Sequence, residues 1–359
     1  MEKVQKISTA QFFSLLLLSR LLTTLTFMPV FEMKVNNLDY IVAILLGSAA
    51  MLLFLLPMYY LFKNSGGKGV LELAQDISPT FSRVLCVLYV AFFLIDAYAT
   101  LLRLNLFVAS AVFPETDTSF FILLTLFAVC FSATKGIEAL GRAGSISLVI
   151  LITSFVLVLL TMLSRVDINN LSPIFYDGAK PILTVAWTVV IRTTEPVAIS
   201  VMLPRVTGNV KKSVIIWTSF FAIFVSVLFF ILFTTSGDSA LLNMFPVHSM
   251  AMLSEFGLIE RLDVLLTGVW IISAFIKIAF VIYVVNDILQ RSFQLKCKGL
   301  ISYLSGAIIF MSVMLMSKNI ENFRYTSNVT EKSVLFILFA VLIPCALMLV
   351  KKIKRRTTC

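Results

Sequence analysis

The sequence predicts an all-α integral membrane fold of ten transmembrane helices, arranged as a five-plus-five inverted repeat with broken helices 1 and 6. Three observations predict it. The chain is 59% hydrophobic and 13% charged over 359 residues, far from the roughly 45–50% apolar and about 25% charged of soluble domains. Ten apolar segments each approach the roughly 20 residues that cross a bilayer core. Two of them, at matching places in the two halves, carry polar residues and a proline where an uninterrupted span is expected. Backbone freed by a break in lipid has to be satisfied by protein or by a water-filled cavity. A matched pair of interrupted spans therefore points to a central binding site.

The first span, 12–31, contains Arg20, Thr23, Thr24 and Thr26 before Pro29. After Lys3 and Lys6 its apolar run is too long for a cleavable signal and lacks a small-residue cleavage site. The second, 40–62, carries Pro57 without polar company and reads as an ordinary kink. The third, 84–113, is long enough to need tilt, the fourth, 119–134, is short, and the fifth is 146–163. In the sixth, 182–203, Arg192, Thr193, Thr194 and Glu195 precede Pro196. Pro196 has no N–H and disfavours helical geometry at Glu195. The remaining spans are 214–233, 264–285, a short 300–316, and 334–350 with a second plain kink at Pro344. Because five is odd, the second half inserts upside down relative to the first. The expected organisation is one transmembrane domain, 1–359, with repeats at about 7–163 and 181–350 and a basic tail at 351–359.

The formal charge of +10 reads as topology rather than nucleic-acid binding. With both termini placed in the cytoplasm, most Lys and Arg fall in inner loops and tails, as positive-inside orientation requires. Lys351, Lys352, Lys354, Arg355 and Arg356 crowd the tail, where anionic lipid headgroups are the expected contact. In the outer segment 236–261, Phe245, Met250, Leu253, Phe256 and Leu258 suggest a short amphipathic helix on the membrane surface.

Charged residues within spans mark function more often than charges in soluble proteins do. Here they are Arg20, Asp96, Arg103, Arg192, Glu195 and Lys277. Tyr89, Asp96 and Arg103 recur every seven residues, nearly two helical turns, and so share a face. Asp263, Trp270 and Lys277 repeat that stripe on the eighth span, the counterpart of the third. Half-helix ends aim N–H groups at a carboxylate and carbonyls at a cation, which suits an amino acid. No triad, phosphate loop or metal-ligand spacing is present, so neither an enzyme nor a cofactor is expected.

The opening Ile7-Ser8-Thr9-Ala10-Gln11-Phe12, the break Thr194-Glu195-Pro196, and Glu260-Arg261-Leu262-Asp263 followed by Trp270 and Lys277 resemble the spore-germination permeases, the B subunits of germinant receptors in the amino acid–polyamine–organocation superfamily. The resemblance covers essentially the whole chain. It implies a multi-pass protein of the spore inner membrane or cell membrane that binds a small-molecule germinant, commonly an amino acid, and assembles with an A-type subunit and a lipoprotein C-type subunit. By family pattern the pocket maps onto Thr23, Thr24, Thr26, Asp96, Tyr98, Thr194, Glu195 and Trp270. Many relatives have a glycine in the first break; here no glycine occurs before Gly47, and Arg20 stands where it would supply a positive charge instead. Arg103, Arg192, Asp263 and Lys277 are left as coupling or structural charges. The alternative is a proton-coupled amino acid permease in which Glu195 or Asp96 titrates.

Overall fold

The computed structural model describes residues 6–25, 35–63, 65–112, 114–115, 117–254, 262–295, 297–317 and 328–357. The chain opens with a two-residue strand, β1 (Ile7–Ser8), followed by α1 (Thr9–Leu25). The motif at its start has a physical role. Gln11 N–H donates to Ser8 Oγ at 3.2 Å, and Ser8 N–H donates to Gln11 Oε1 at 3.2 Å. This reciprocal capping box satisfies two of the donors that every helix N-terminus leaves bare.

The second span is α2 (Asn37–Phe54) and α3 (Leu56–Lys63), divided at Leu55 just before Pro57, where the kink is expected. A short α4 (Val70–Gln75) leads to α5 (Pro79–Phe107), which continues through a π-helical turn at Val108–Val112. Then come α6 (Ser119–Thr134) and α7 (Ile137–Met162). The sixth span is two helices, α8 (Ala179–Ile191) and α9 (Glu195–Met202), and β2 (Val206–Thr207) follows it. Next are α10 (Val210–Ser236), α11 (Ser239–Leu242), α12 (Pro246–Met252), α13 (Asp263–Phe293) and α14 (Lys298–Met316). The last span is α15 (Val329–Phe336), a π-helical Ile337–Leu342 and α16 (Ile343–Thr357). Pro344 directly follows the π-helical turn inside a continuous span, and a wider turn there accommodates a residue without an N–H. The helix runs on into the basic tail as far as Thr357.

Among the described residues, eight helical segments are long and apolar enough to cross a membrane, and α1 and α6 are shorter apolar helices. The protein is an all-α, multi-pass integral membrane protein. Outer faces carry the apolar residues that lipid favours: on α6, Leu123, Phe127 and Phe131 are exposed at four-residue spacing. The span of α13 is the most enclosed, with 72% of its most apolar stretch buried, and it packs along α5, α7 and α1.

Strands β1 and β2 pair in parallel, with Ile7 opposite Val206 and Ser8 opposite Thr207. Thr207 Oγ1 donates to the Ile7 carbonyl at 3.1 Å. This strap fastens the start of α1 to the end of the sixth span. Close backbone approach does similar work between helices. A Cβ on Gly47 of α2 would meet the Ala186 carbonyl oxygen at 2.6 Å and Val189 Cβ at 2.8 Å on α8, and one on Gly144 of α7 would meet Leu15 of α1 at 2.7 Å. Small residues at helix crossings are how membrane helices gain contact without a hydrophobic drive between them.

Overpacking such a crossing costs about 1–3 kcal/mol. Gly47→Val is expected to lower the thermal unfolding midpoint of the detergent-solubilised protein by several degrees. Gly268→Ala on α13, where nothing lies within 4 Å of the added Cβ, leaves the midpoint unchanged or raised. Equal midpoints for the two variants would refute the close-crossing account.

Candidate functional site

The site is built around the break between α8 and α9. Arg192 closes α8, its N–H donating to the Thr188 carbonyl at 3.2 Å, and Thr194 opens α9 by accepting from the Val197 N–H at 3.1 Å. Pro196 lies in the first turn of α9, where a missing N–H is tolerated. It starts the second half-helix rather than kinking one helix. Arg192 at the carboxyl end of α8 and Glu195 at the amino end of α9 each carry the sign that the facing helix dipole favours.

The first span meets this break directly. Arg20 Nη2 donates to the Val189 carbonyl, which also accepts from Thr193 Oγ1 at 3.1 Å. The guanidinium lies 4.8 Å from the centroid of the Phe221 ring on α10. Ser19 Oγ donates to Glu195 Oε1 at 2.7 Å. Arg20, Glu195 and Lys277 are almost fully enclosed, at 2%, 2% and 1% exposure. Arg20 Nη1 and Glu195 Oε2 are buried with no hydrogen-bond partner among the described residues. Helix α1 itself stays regular through Arg20, Thr23 and Thr24: Thr23 Oγ1 donates to the carbonyls of Ser19 and Arg20 at 3.1 and 2.9 Å. The expected interruption is therefore absent as far as Leu25, and Thr26 and Pro29 lie outside the described residues. So do Glu260 and Arg261 of the eighth-span motif.

On α5, Asp96 bridges the two halves of the site. Its Oδ2 accepts from Thr194 Oγ1 at 3.4 Å and its Oδ1 from Lys277 Nζ at 3.5 Å. Both contacts are long for hydrogen bonds, so the carboxylate retains capacity for a closer partner. A cavity of about 450 Å³ opens beside it, lined by Thr23, Asp96, Tyr98, Arg103, Arg192 and Thr194 among others. These charged and hydroxyl-bearing side chains, each expected from the sequence to matter, converge on one space. Arg20, Glu195 and Lys277 stand behind its wall. Trp270 lies beside it: with Thr23, Thr100 and Arg103 it borders a much smaller void. Its ring stacks on Phe107 at 5.3 Å, and Phe107 meets Phe245 and His248 of the α12 region edge-on. The outer segment thus folds inward at α12, burying Val247, His248 and Met250. Thr24 is half-buried away from the cavity. Asp263 lies at the first turn of α13, about 21 Å along the helix from Lys277.

Two sets of residues escape a reading of the sequence. Glu331 and Lys332 line the cavity from α15, although hydropathy assigns them to an outer loop because the apolar run begins at Val334. Trp187 Nε1 on α8 donates to Ser333 Oγ at 2.9 Å and fixes α15 there. At the strap end, Arg205 Nε donates to Asp287 Oδ1 at 2.9 Å, while Arg291 pairs with Asp287 and with Glu72 and donates to the Val201 carbonyl at 3.2 Å. This network joins α4, the end of the sixth span and α13. Among the described residues no group of three or more His, Cys, Asp or Glu is arranged to hold a metal ion.

Residues 6–321 match the family model described as spore germination protein. Spore germination protein KB of Bacillus subtilis (strain 168) is 25% identical over 372 residues, covering 99% of this chain and 97% of that protein. Among solved structures, the fold is similar to that reported as "Substrate-bound outward-open state of a Na+-coupled sialic acid symporter reveals a novel Na+-site", with a TM-score of 0.61, 15% identity, and coverage of 94% of this chain and 79% of that one.

Removing one member of a buried charge set costs about 3–5 kcal/mol, whereas replacing opposite charges together by apolar residues costs far less. Arg20→Met and Glu195→Leu are each expected to lower the thermal midpoint markedly, and the double variant to lose clearly less than the sum. Additive losses would show that the two charges do not depend on one another.

Proposed function

Because the chain belongs to the spore-germination permease family, we propose that it is the membrane-embedded sensing subunit of a germination receptor, binding a small nutrient at the membrane midplane. The observation that carries this reading is the cavity at the helix break, which presents Asp96 together with Arg103 and Arg192. Charges of both signs on one wall suit a zwitterion. The ligand's ammonium meets Asp96, and its carboxylate meets the two guanidinium groups. An amino acid is the simplest such nutrient. Thr23, Tyr98 and Thr194 supply hydroxyls around it, and Phe92, Leu335 and Phe336 receive an apolar side chain. Glu195, Arg20 and Trp270 hold the wall from behind.

In this reading the ten helices form two inverted five-helix repeats in the spore inner membrane, with both termini cytoplasmic. Nutrient binding shifts an equilibrium between conformations by no more than its differential affinity for them. An A-type subunit and a lipoprotein C-type subunit convert that shift into a germination signal, without reaction chemistry in this chain. Lys277 sets a tethered ammonium against Asp96, where an ion-driven carrier would need a cation that comes and goes. That feature favours sensing over the alternative, a proton-coupled amino acid permease.

A hydrogen bond to a charged group is worth about 1.5–3 kcal/mol, so Arg103→Gln and Asp96→Asn should each weaken nutrient binding by roughly ten- to a hundredfold. The measurement is equilibrium binding of a panel of labelled amino acids to purified protein, beside the germination rate of spores carrying each variant. Spores with Lys277→Met that germinate normally would sink the coupling role. Accumulation of labelled amino acid by vesicles holding this chain alone, driven by a pH gradient, would replace the sensor with the permease.

A further inference from the structure

A second cavity, larger than the first at about 690 Å³, lies at the strap end between the second span and the start of α10. Leu55 and Leu56, where α2 gives way to α3, are among its lining residues. Leu55, Tyr59, Leu203 and Ile215 form apolar walls, and Lys63 and Lys211 stand at the mouth. Both lysines are exposed, and Lys211 Nζ is held 4.7 Å from the centroid of the Tyr59 ring. Among the described lining residues none is acidic and two are lysines, so the charge of the lining is positive. The wall from Leu52 to Lys63 rises about 16 Å along the helix. That matches the roughly 15 Å depth of one leaflet, half of a hydrocarbon core of about 30 Å.

An apolar groove one leaflet deep with cations at its rim has the chemistry of one molecule: we propose that it holds a single anionic phospholipid. The headgroup phosphate sits between Lys63 and Lys211, and an acyl chain runs inward along Leu55 and Leu203. Ile199 and Leu203 form part of the wall, so the lipid braces the half-helix that begins at Glu195. A soluble phosphate would satisfy the lysines and leave the groove unfilled. The site shares no residue with the nutrient cavity.

The test uses the full chain in nanodiscs of phosphatidylcholine with a minor fraction of phosphatidylglycerol, reading retained lipid by native mass spectrometry and the thermal midpoint in parallel. The wild-type protein is expected to retain one phosphatidylglycerol and to gain stability from it. Lys63→Gln/Lys211→Gln should retain at least fivefold less. Ile215→Trp, which fills the groove at an exposed position and keeps both lysines, should lose retention as well. Lys135→Gln, a cation resting on Phe131 at 4.3 Å elsewhere on the surface, should retain it fully. Wild-type retention in either groove variant, or equal loss in Lys135→Gln, would overturn the site. So would an equal gain in stability from inorganic phosphate alone.

Discussion

Charge and bare backbone are both expensive in lipid, and this protein places them where each relieves the other. The break at Arg192–Thr194 interrupts a spanning helix, and the guanidinium of Arg20 binds the Val189 carbonyl just before it. Glu195, which begins the second half-helix, receives the hydroxyl of Ser19 from the next position of the same first helix. Asp96 and Lys277 bring α5 and α13 to the same place. A buried ion pair contributes little net stability when intact but costs several kcal/mol when separated. Such a set therefore specifies how four spans sit together more than it strengthens the bundle. Helix α6, with its apolar outer face and no charge in its interior, lies outside this arrangement.

Spans and stripes were legible in the sequence because lipid imposes simple rules: length, hydropathy, and the rarity of charge. Asp96, Arg103 and Lys277 stood out as charges deep in apolar runs, and the seven-residue spacing indicated a common face. Pro196 after Glu195 marked the true break. In the first span, Thr23 returns its hydroxyl to the carbonyls of Ser19 and Arg20, so the helix is regular as far as Leu25, and the rest of the expected break lies outside the described residues. Lys332 and Glu331 were hidden by their place at a span's edge, where hydropathy cannot separate a loop residue from the first turn of a helix. The ionic network of Glu72, Arg205, Asp287 and Arg291 was hidden for a different reason: only Asp287 and Arg291 stand at i,i+4, and nothing in spacing relates that pair to Glu72 or Arg205.

The two ends of the bundle differ in how they are closed. At the strap end, Arg205 and Arg291 converge on Asp287, and Arg291 reaches Glu72. Any motion that separates the end of the sixth span from α13 has to break these contacts. At the other end the cavity is bounded by Met316 and the first turn of α15, with aromatic packing of Phe107, Trp270 and Phe245 beside it. The structure thus combines an ionically tied base with a rim where Glu331 and Lys332 stand beside aromatic packing, an asymmetry suited to discrete rearrangement of packed units.

The bond between Arg20 and Val189 also has a consequence for how the protein is made. Its partners are 169 residues apart, and the strap joins Ile7 to Val206. At about 5–20 residues per second, roughly ten to thirty seconds of synthesis separate the emergence of Arg20 from that of its acceptor. During that interval the guanidinium of the first helix lacks the carbonyl that receives it in the folded protein. Its final seating belongs to the moment when the sixth span arrives, so this helix is secured only long after it has been translated.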